Sequence, residues 1–119
     1  MGTGGVTIGD YCILANNTII ATTSHQVGGL YYGHDQTAPV VLGENVWTGS
    51  GVIILPGVTI GDNSIIGAGA VVTQEIPANK IALGVPARPV RDVPLDPVLR
   101  QAHVDALKAG VSIPEQSAP

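Results

Sequence analysis

Along most of this chain an aliphatic residue returns every six positions. Counted from Ile8, the lead positions read Ile8, Leu14 and Ile20, then Leu42, Thr48, Ile54, Ile60, Ile66 and Val72; all but Thr48 are aliphatic. The residue after each lead is usually tiny: Gly9, Ala15, Ala21, Gly43, Gly49, Gly61 and Gly67, with Leu55 and Thr73 as exceptions. Four positions after each lead sits a small or β-branched residue: Cys12, Thr18, Ser24, Val46, Val52, Val58, Ser64, Ala70 and Ile76. The stretch 2–7 reads as one more, imperfect hexad, with Val6 in the inward slot.

A period of six is not a helix signal, because apolar residues do not recur at i+3 and i+4 together. It describes short strand-like pieces joined by tight turns, with the lead residue and the one four later pointing inward. Gly, Asp and Asn between them, as in "GDNS", "GENV" and "ANNT", supply turn conformations at low steric cost. Three flat faces close one coil of eighteen residues. Coils then stack at ordinary strand spacing, about 4.8 Å. The pattern predicts an all-β chain, a parallel β-helix that grows as a one-dimensional solenoid. A β-sandwich would have to produce nine registers in phase by coincidence, six of them unbroken from Leu42.

The period fails in "TTSHQVGGLYYGHDQTAP", residues 22–39, which holds two of the three histidines and two of the three tyrosines. Sixteen residues, Gln26 to Val41, are surplus to the repeat. A rigid solenoid can eject such a loop from one corner and resume in phase, and loops on rigid scaffolds commonly carry function. After Val72 the period weakens, and Pro77, Pro86, Pro89 and Pro94 mark a coil that closes. "LDPVLRQAHVDALKAG" then reads as a helix, with Asp96 as N-cap, Pro97 at the first helical position and Gly110 at the C-terminal cap. Leu95, Leu99, Ala102, Ala106 and Leu107 are expected to share its apolar face, covering the open end of the solenoid or a neighbouring subunit. The expected organisation is a β-helix domain over 1–91 with a loop at 26–41. A C-terminal extension follows over 92–119, with its helix at about 96–109.

Composition sharpens this picture. At 119 residues the chain makes one small domain, and with 3% aromatics and no Phe its core must be stacked Ile, Val, Leu and Ala. The single Cys12 excludes an internal disulfide and fits a reducing compartment. No secretory signal is visible in "MGTGGVTIGD", and "GVIILPGVTI" is too short to span a bilayer, so a cytoplasmic protein without membrane contact is expected. Net charge is −4, yet all five basic residues, Lys80, Arg88, Arg91, Arg100 and Lys108, lie at position 80 or later. That distribution argues against a nucleic-acid surface and leaves room for a local anion site.

Two stretches are more specific than the repeat: "NVWTGSGVIILPGVTIGDNSIIGAGAVVT" and "ALGVPARPVR". Together with the hexads from Ile8 to Arg91 they resemble the hexapeptide-repeat acyltransferases, in the branch of the galactoside and maltose O-acetyltransferases. The resemblance implies a left-handed β-helix, a homotrimer with active sites between subunits, acetyl-CoA as donor, a small hydroxyl-bearing acceptor and no metal. His25, at the coil edge before the loop, falls on the family's catalytic histidine, a general base suited by an imidazole pKa near neutrality. Trp47 falls on a position near the thioester end of the donor, and Ser50 on a backbone amide that contacts the thioester carbonyl. Ala68 and Thr73 match main-chain contacts to the pantetheine arm. Arg88 and Arg91 match basic residues near the CoA nucleotide, with Lys80 as a lesser helper.

The chain departs from the family in two ways. Gln74 stands where a Lys is common, and the given sequence starts almost directly in a coil, where the family has a segment that shapes the acceptor site. The chain is then either a short variant, with Tyr31, Tyr32, His34 and Asp35 of the loop as the acceptor-site candidates, or a fragment. Two rivals stay open: a CoA-binding or scaffold trimer without turnover, and a γ-type carbonic-anhydrase-like metal enzyme. The second lacks the tight histidine pair that a metal site needs.

Overall fold

The computed structural model describes residues 5–25, 35–94 and 96–110. The hexads form a parallel β-helix of triangular section. The first coil is β1 (Val6–Ile8), β2 (Ile13–Leu14) and β3 (Ile19–Ile20). An antiparallel pair follows, β4 (Thr23–His25) with β5 (Asp35–Thr37). The second coil is β6 (Val40–Leu42), β7 (Trp47–Thr48) and β8 (Ile53–Ile54), and the third is β9 (Thr59–Ile60), β10 (Ile65–Ile66) and β11 (Val71–Val72). A last, incomplete coil carries Ile76 and β12 (Lys80–Leu83), and β13 (Arg88–Asp92) folds back antiparallel on β12. The first face of the prism is β1-β6-β9, the second β2-β7-β10-β12-β13 and the third β3-β8-β11.

Register shows how the loop was inserted. Leu42 pairs with Ile60, eighteen residues on, whereas Ile8 pairs with Leu42, thirty-four residues on. The surplus is the sixteen residues counted from the repeat. Parallel coils hold because each turn passes a backbone N–H to the next: Gly9 N donates to Leu42 O at 2.9 Å, Gly43 N to Ile60 O at 2.8 Å and Gly61 N to Ile76 O at 2.8 Å.

The interior is the predicted inward set. Leu42, Ile54, Ile60, Ile66, Val72, Val46, Val52, Val58 and Ile76 are all buried. Each such side chain removed from water contributes about 1.5–3 kcal/mol. Thr48 also points inward, fully buried, and its hydroxyl meets that of Thr18 at 3.0 Å while Thr18 donates to Ala15 O at 2.8 Å. The first coil does not follow the expected burial. Ile8 and Leu14 keep 43% and 37% of their surface, and Val6 is exposed too, because no described coil stacks on their outer side. Ser24, assigned to an inward slot, is instead exposed in β4. The chain has by then left the prism: Ala38 N donates to Thr22 O at 2.9 Å across the hairpin.

One corner explains why Asn recurs. Asn45, Asn63 and Asn79 adopt φ of 58°, 63° and 62°, a left-handed conformation that Asn tolerates better than other non-Gly residues. Their amides form a ladder, Asn45 Nδ2 to Asn63 Oδ1 at 3.0 Å and Asn63 Nδ2 to Asn79 Oδ1 at 3.1 Å.

The tail helix α1 (Pro97–Lys108) starts at Asp96, whose side chain accepts from Val98 N, as the N-cap position requires. It covers a corner, not the open end. Val93 N donates to Asn79 O in the last coil, and Lys108 pairs with Glu44 in the second coil and, at 3.8 Å, with Asp10 in the first. Val104 is its buried residue, while Leu99 and Ala102, expected on the packed face, are exposed. Contact with the corner at Glu44 and Asp10 sets the rotation of this helix; the apolar spacing alone does not. Among the described residues no helix is long and apolar enough to cross a membrane.

Candidate active site

The predicted donor-side residues gather on the second face and on the corner joining it to the third. Trp47 projects outward from β7, in register between Ile13 and Ile65, and keeps 51% of its surface. Ser50 follows at the corner and is exposed, with Ala68 one coil further on and also exposed. The two coils nearly touch here: a Cβ on Gly49 would lie 2.7 Å from Ala68 N. Gly69 N donates to Ser50 O at 2.9 Å, and Gly51 and Gly69 both take φ of +74°, which an L side chain rarely adopts. Glycine backbone thus makes up much of this edge.

The edge leads to the basic residues. Val71 N donates to Gly84 O at 3.1 Å, so Gly84 continues the corner after Ala68, and Leu83 pairs with Arg88 and Ile81 with Arg91. Arg88 and Arg91 are exposed on β13, and Arg88 Nη1 donates to Ala87 O at 3.0 Å. Lys80 differs from expectation. It is ion-paired with Asp92, the residue opposite it in register, which leaves it a poorer anion ligand than the two arginines.

His25 and Thr73 lie elsewhere. The β4–β5 hairpin leaves the prism after β3, at the corner between the third face and the first, and Thr73 follows β11 at that same corner. The width of the third face therefore separates them from Ser50 and Ala68 of the same chain. Ala68 and Thr73, both matched to main-chain contacts with the pantetheine arm, thus stand on different corners of the one chain. Tyr31, Tyr32 and His34 lie outside the described residues, and Asp35 is placed in β5 directly opposite His25. The expected loop 26–41 is shorter than its surplus: Asp35–Thr37 and Val40–Val41 are strand. Periodicity of six is blind to this pairing, and its sequence signal is limited to short β-prone flanks around Gly28, Gly29 and Gly33.

Two stripes of outward apolar residues flank the Ser50 corner. On the second face run Ile13, Trp47 and Ile65, and on the third Ile19, Ile53 and Val71. Ile13 and Ile19 are exposed and Ile53, Ile65 and Val71 half-buried.

Comparison with known proteins gives a consistent result. The family model described as "Bacterial transferase hexapeptide (six repeats)" matches residues 39–74, and "Hexapeptide repeat of succinyl-transferase" matches residues 2–21. The galactoside O-acetyltransferase of Escherichia coli is 47% identical over 95 residues, covering 74% of this chain and 44% of the relative. A solved galactoside acetyltransferase in complex with coenzyme A superposes with a TM-score of 0.71 at 48% identity, covering 74% of this chain and 45% of that one. A maltose O-acetyltransferase from Clostridium difficile gives 0.72 at 46% identity, covering 76% and 49%. The chain thus spans about half the length of the relatives it matches. Its coils are the left-handed β-helix of those proteins, and the chain belongs to the hexapeptide-repeat acyltransferase family, in the branch of the galactoside and maltose O-acetyltransferases.

Proposed function

We propose that this chain transfers the acetyl group of acetyl-CoA to a hydroxyl of a small acceptor such as a sugar, in a cleft between copies of a homotrimer. The observation that carries this reading is the split of the site: Trp47 on the second face with Ser50 and Ala68 at its corner with the third, and His25 and Thr73 at the next corner. One prism cannot close such a site on itself. A neighbouring prism that covers the Trp47 stripe brings its own hairpin corner to the Ser50 edge and buries the apolar rows. The coenzyme A in the similar solved structure supports the donor.

Acetyl-CoA fits the residues present. An extended thioester arm suits the glycine-lined edge at Ser50 and Ala68, and the nucleotide phosphates suit exposed Arg88 at the end of that edge, with Arg91 further along the same strand. In the transfer His25 takes the acceptor's hydroxyl proton as the oxygen attacks the thioester carbonyl. The Ser50 amide donates to the carbonyl oxygen as it gains charge. The carbon–sulfur bond then breaks, the imidazolium returns its proton to the departing thiolate, and ester and CoA thiol leave.

Thiol release from acetyl-CoA over a panel of sugar and other hydroxyl acceptors tests the activity. His25→Ala is expected to lower turnover by about 10²- to 10⁴-fold. Acetyl-CoA affinity and a light-scattering mass of three times 12.1 kDa should stay unchanged. A monomeric wild type, or a His25→Ala protein within a few-fold of wild-type turnover, would overturn the proposal.

A further inference from the structure

The first coil is the weak end of the solenoid. Among the described residues its strands β1, β2 and β3 are each the edge of a sheet, and Val6, Ile8 and Leu14 keep 46%, 43% and 37% of their surface. A solenoid is held by contacts between neighbouring coils, so a terminal coil with a single interface opens first. The corner between the first and second faces adds to that interface. Backbone bonds run its whole length: Val93 N donates to Asn79 O at 2.9 Å, Asn79 N to Asp62 O at 2.8 Å, Asn63 N to Glu44 O at 2.9 Å and Asn45 N to Asp10 O at 2.8 Å. The same corner stacks the carboxylates of Asp10, Glu44 and Asp62, one per coil. Asp62 Oδ1 accepts from Glu44 N at 2.8 Å, whereas the Glu44 and Asp10 carboxylates meet Lys108 in the last turn of α1. The lengths agree. Twelve helical residues rise about 18 Å. The four steps of the corner from Val93 to Asp10 amount to about 19 Å at strand spacing. The helix thus runs back along the corner from the last coil to the first.

We propose that α1 is a strap tying the first coil of the solenoid to the last, with Lys108 as its closing contact, and that its grip sets how often the first coil opens. One reason is charge. Without the ammonium, Asp10 and Glu44 are like charges across the junction of the first and second coils, so the junction loses an attraction and gains a repulsion. The other reason is topology. In a stack where each coil otherwise touches only its neighbours, the strap links the two ends, and the first coil lifts only when the helix end lets go. The effect reaches the hairpin. β3 ends at Ile20 and β4 starts at Thr23, so an opening of the first coil pulls on the stem at Thr22, whose carbonyl accepts from Ala38 N. The strap therefore steadies, from another corner, the strand that carries His25. Only its consequence for turnover rests on the reading of His25 as general base; the strap itself does not.

The test is native-state hydrogen exchange on the full-length protein, read amide by amide in the wild type, Lys108→Met and Lys108→Arg. Met keeps an unbranched stem and removes the charge. In Lys108→Met the first-coil amides that donate to the second coil, those of Gly9, Ile13, Ala15 and Ile19, should exchange about two- to fivefold faster, the range an exposed ion pair supports. The amide of Ala38 should follow them. Amides that join later coils, those of Gly49, Leu55 and Gly61, should keep their rates. High salt should speed the same first-coil amides in the wild type and should not speed them further in Lys108→Met, because screening removes what the substitution has already removed. Lys108→Arg should restore the wild-type rates. Unchanged first-coil amides in Lys108→Met overturn the strap. Equal acceleration at Gly49, Leu55 and Gly61 also overturns it, since Lys108 would then act on the whole fold and not on the junction it spans.

Discussion

Replacing Asn63 by Gly removes the middle rung of the corner ladder without disturbing the backbone that the corner needs. Asn63 is buried, and its side chain both accepts from Asn45 and donates to Asn79. Each bond contributes about 1 kcal/mol net, so the pair is worth about 2 kcal/mol. Half-buried Asn45 and Asn79 can recover part of this from water, which keeps the loss near that value rather than above it. Gly accepts φ of 63° without strain but frees the unfolded chain, adding about 0.4–1 kcal/mol. Asn17 supplies the control: it has φ of 62° and is exposed on another corner, so Asn17→Gly carries the backbone terms without the ladder. In urea melts followed by circular dichroism at one fixed protein concentration, Asn63→Gly should lose about 2 kcal/mol more than Asn17→Gly. With a slope of about 1–3 kcal/mol per molar urea this separates the midpoints by roughly 1 M. Coincident midpoints for the two variants would show that the ladder contributes nothing and that Asn recurs only for its backbone preference.

The Thr18–Thr48 pair predicts an asymmetry: Thr18→Val strands the buried Thr48 hydroxyl and should cost about 1–3 kcal/mol, whereas Thr48→Val leaves Thr18 bonded to Ala15 and should cost less, as urea melts will report. Lys108 is held above the usual lysine pKa of 10.5, chiefly by its hydrogen bond to Glu44 and further by the charges of Glu44, Asp10 and Asp105. A raised lysine stabilises below its unfolded pKa and stops doing so as pH rises through the folded value. The Val104 methyl resonances should therefore keep their packed positions from pH 7 to about 10 and lose them above; movement within the neutral range would refute the clasp. Removing both Arg88 and Arg91 should weaken acetyl-CoA far more than an analogue lacking the nucleotide phosphates, and added salt should reproduce the difference; equal losses for both ligands would exclude these arginines from the phosphates.

The sequence by itself determined the coil. A six-residue period with aliphatic leads has few packings that bury every lead, and the Asn and Gly between leads name the corners; Leu42, Ile60 and Val46 are where that reasoning puts them. The length of the inserted loop was legible for the same reason, since a solenoid resumes only in phase. Asp96 as N-cap was legible because capping is local. Stacking order decided the rest. Ile8 and Leu14 obey the repeat yet stay exposed, because no described part of the chain covers the outer side of the first coil. Lys80 was read as a phosphate helper until β13 folded back and set Asp92 opposite it. Thr73 and Ala68 are five residues apart but lie on different corners, because the chain turns between them. The opposition of His25 and Asp35 is a register across ten residues of sequence, which no six-residue pattern encodes. Local spacing fixes which side chains face in; which residues meet across strands and corners is fixed only when the strands pair.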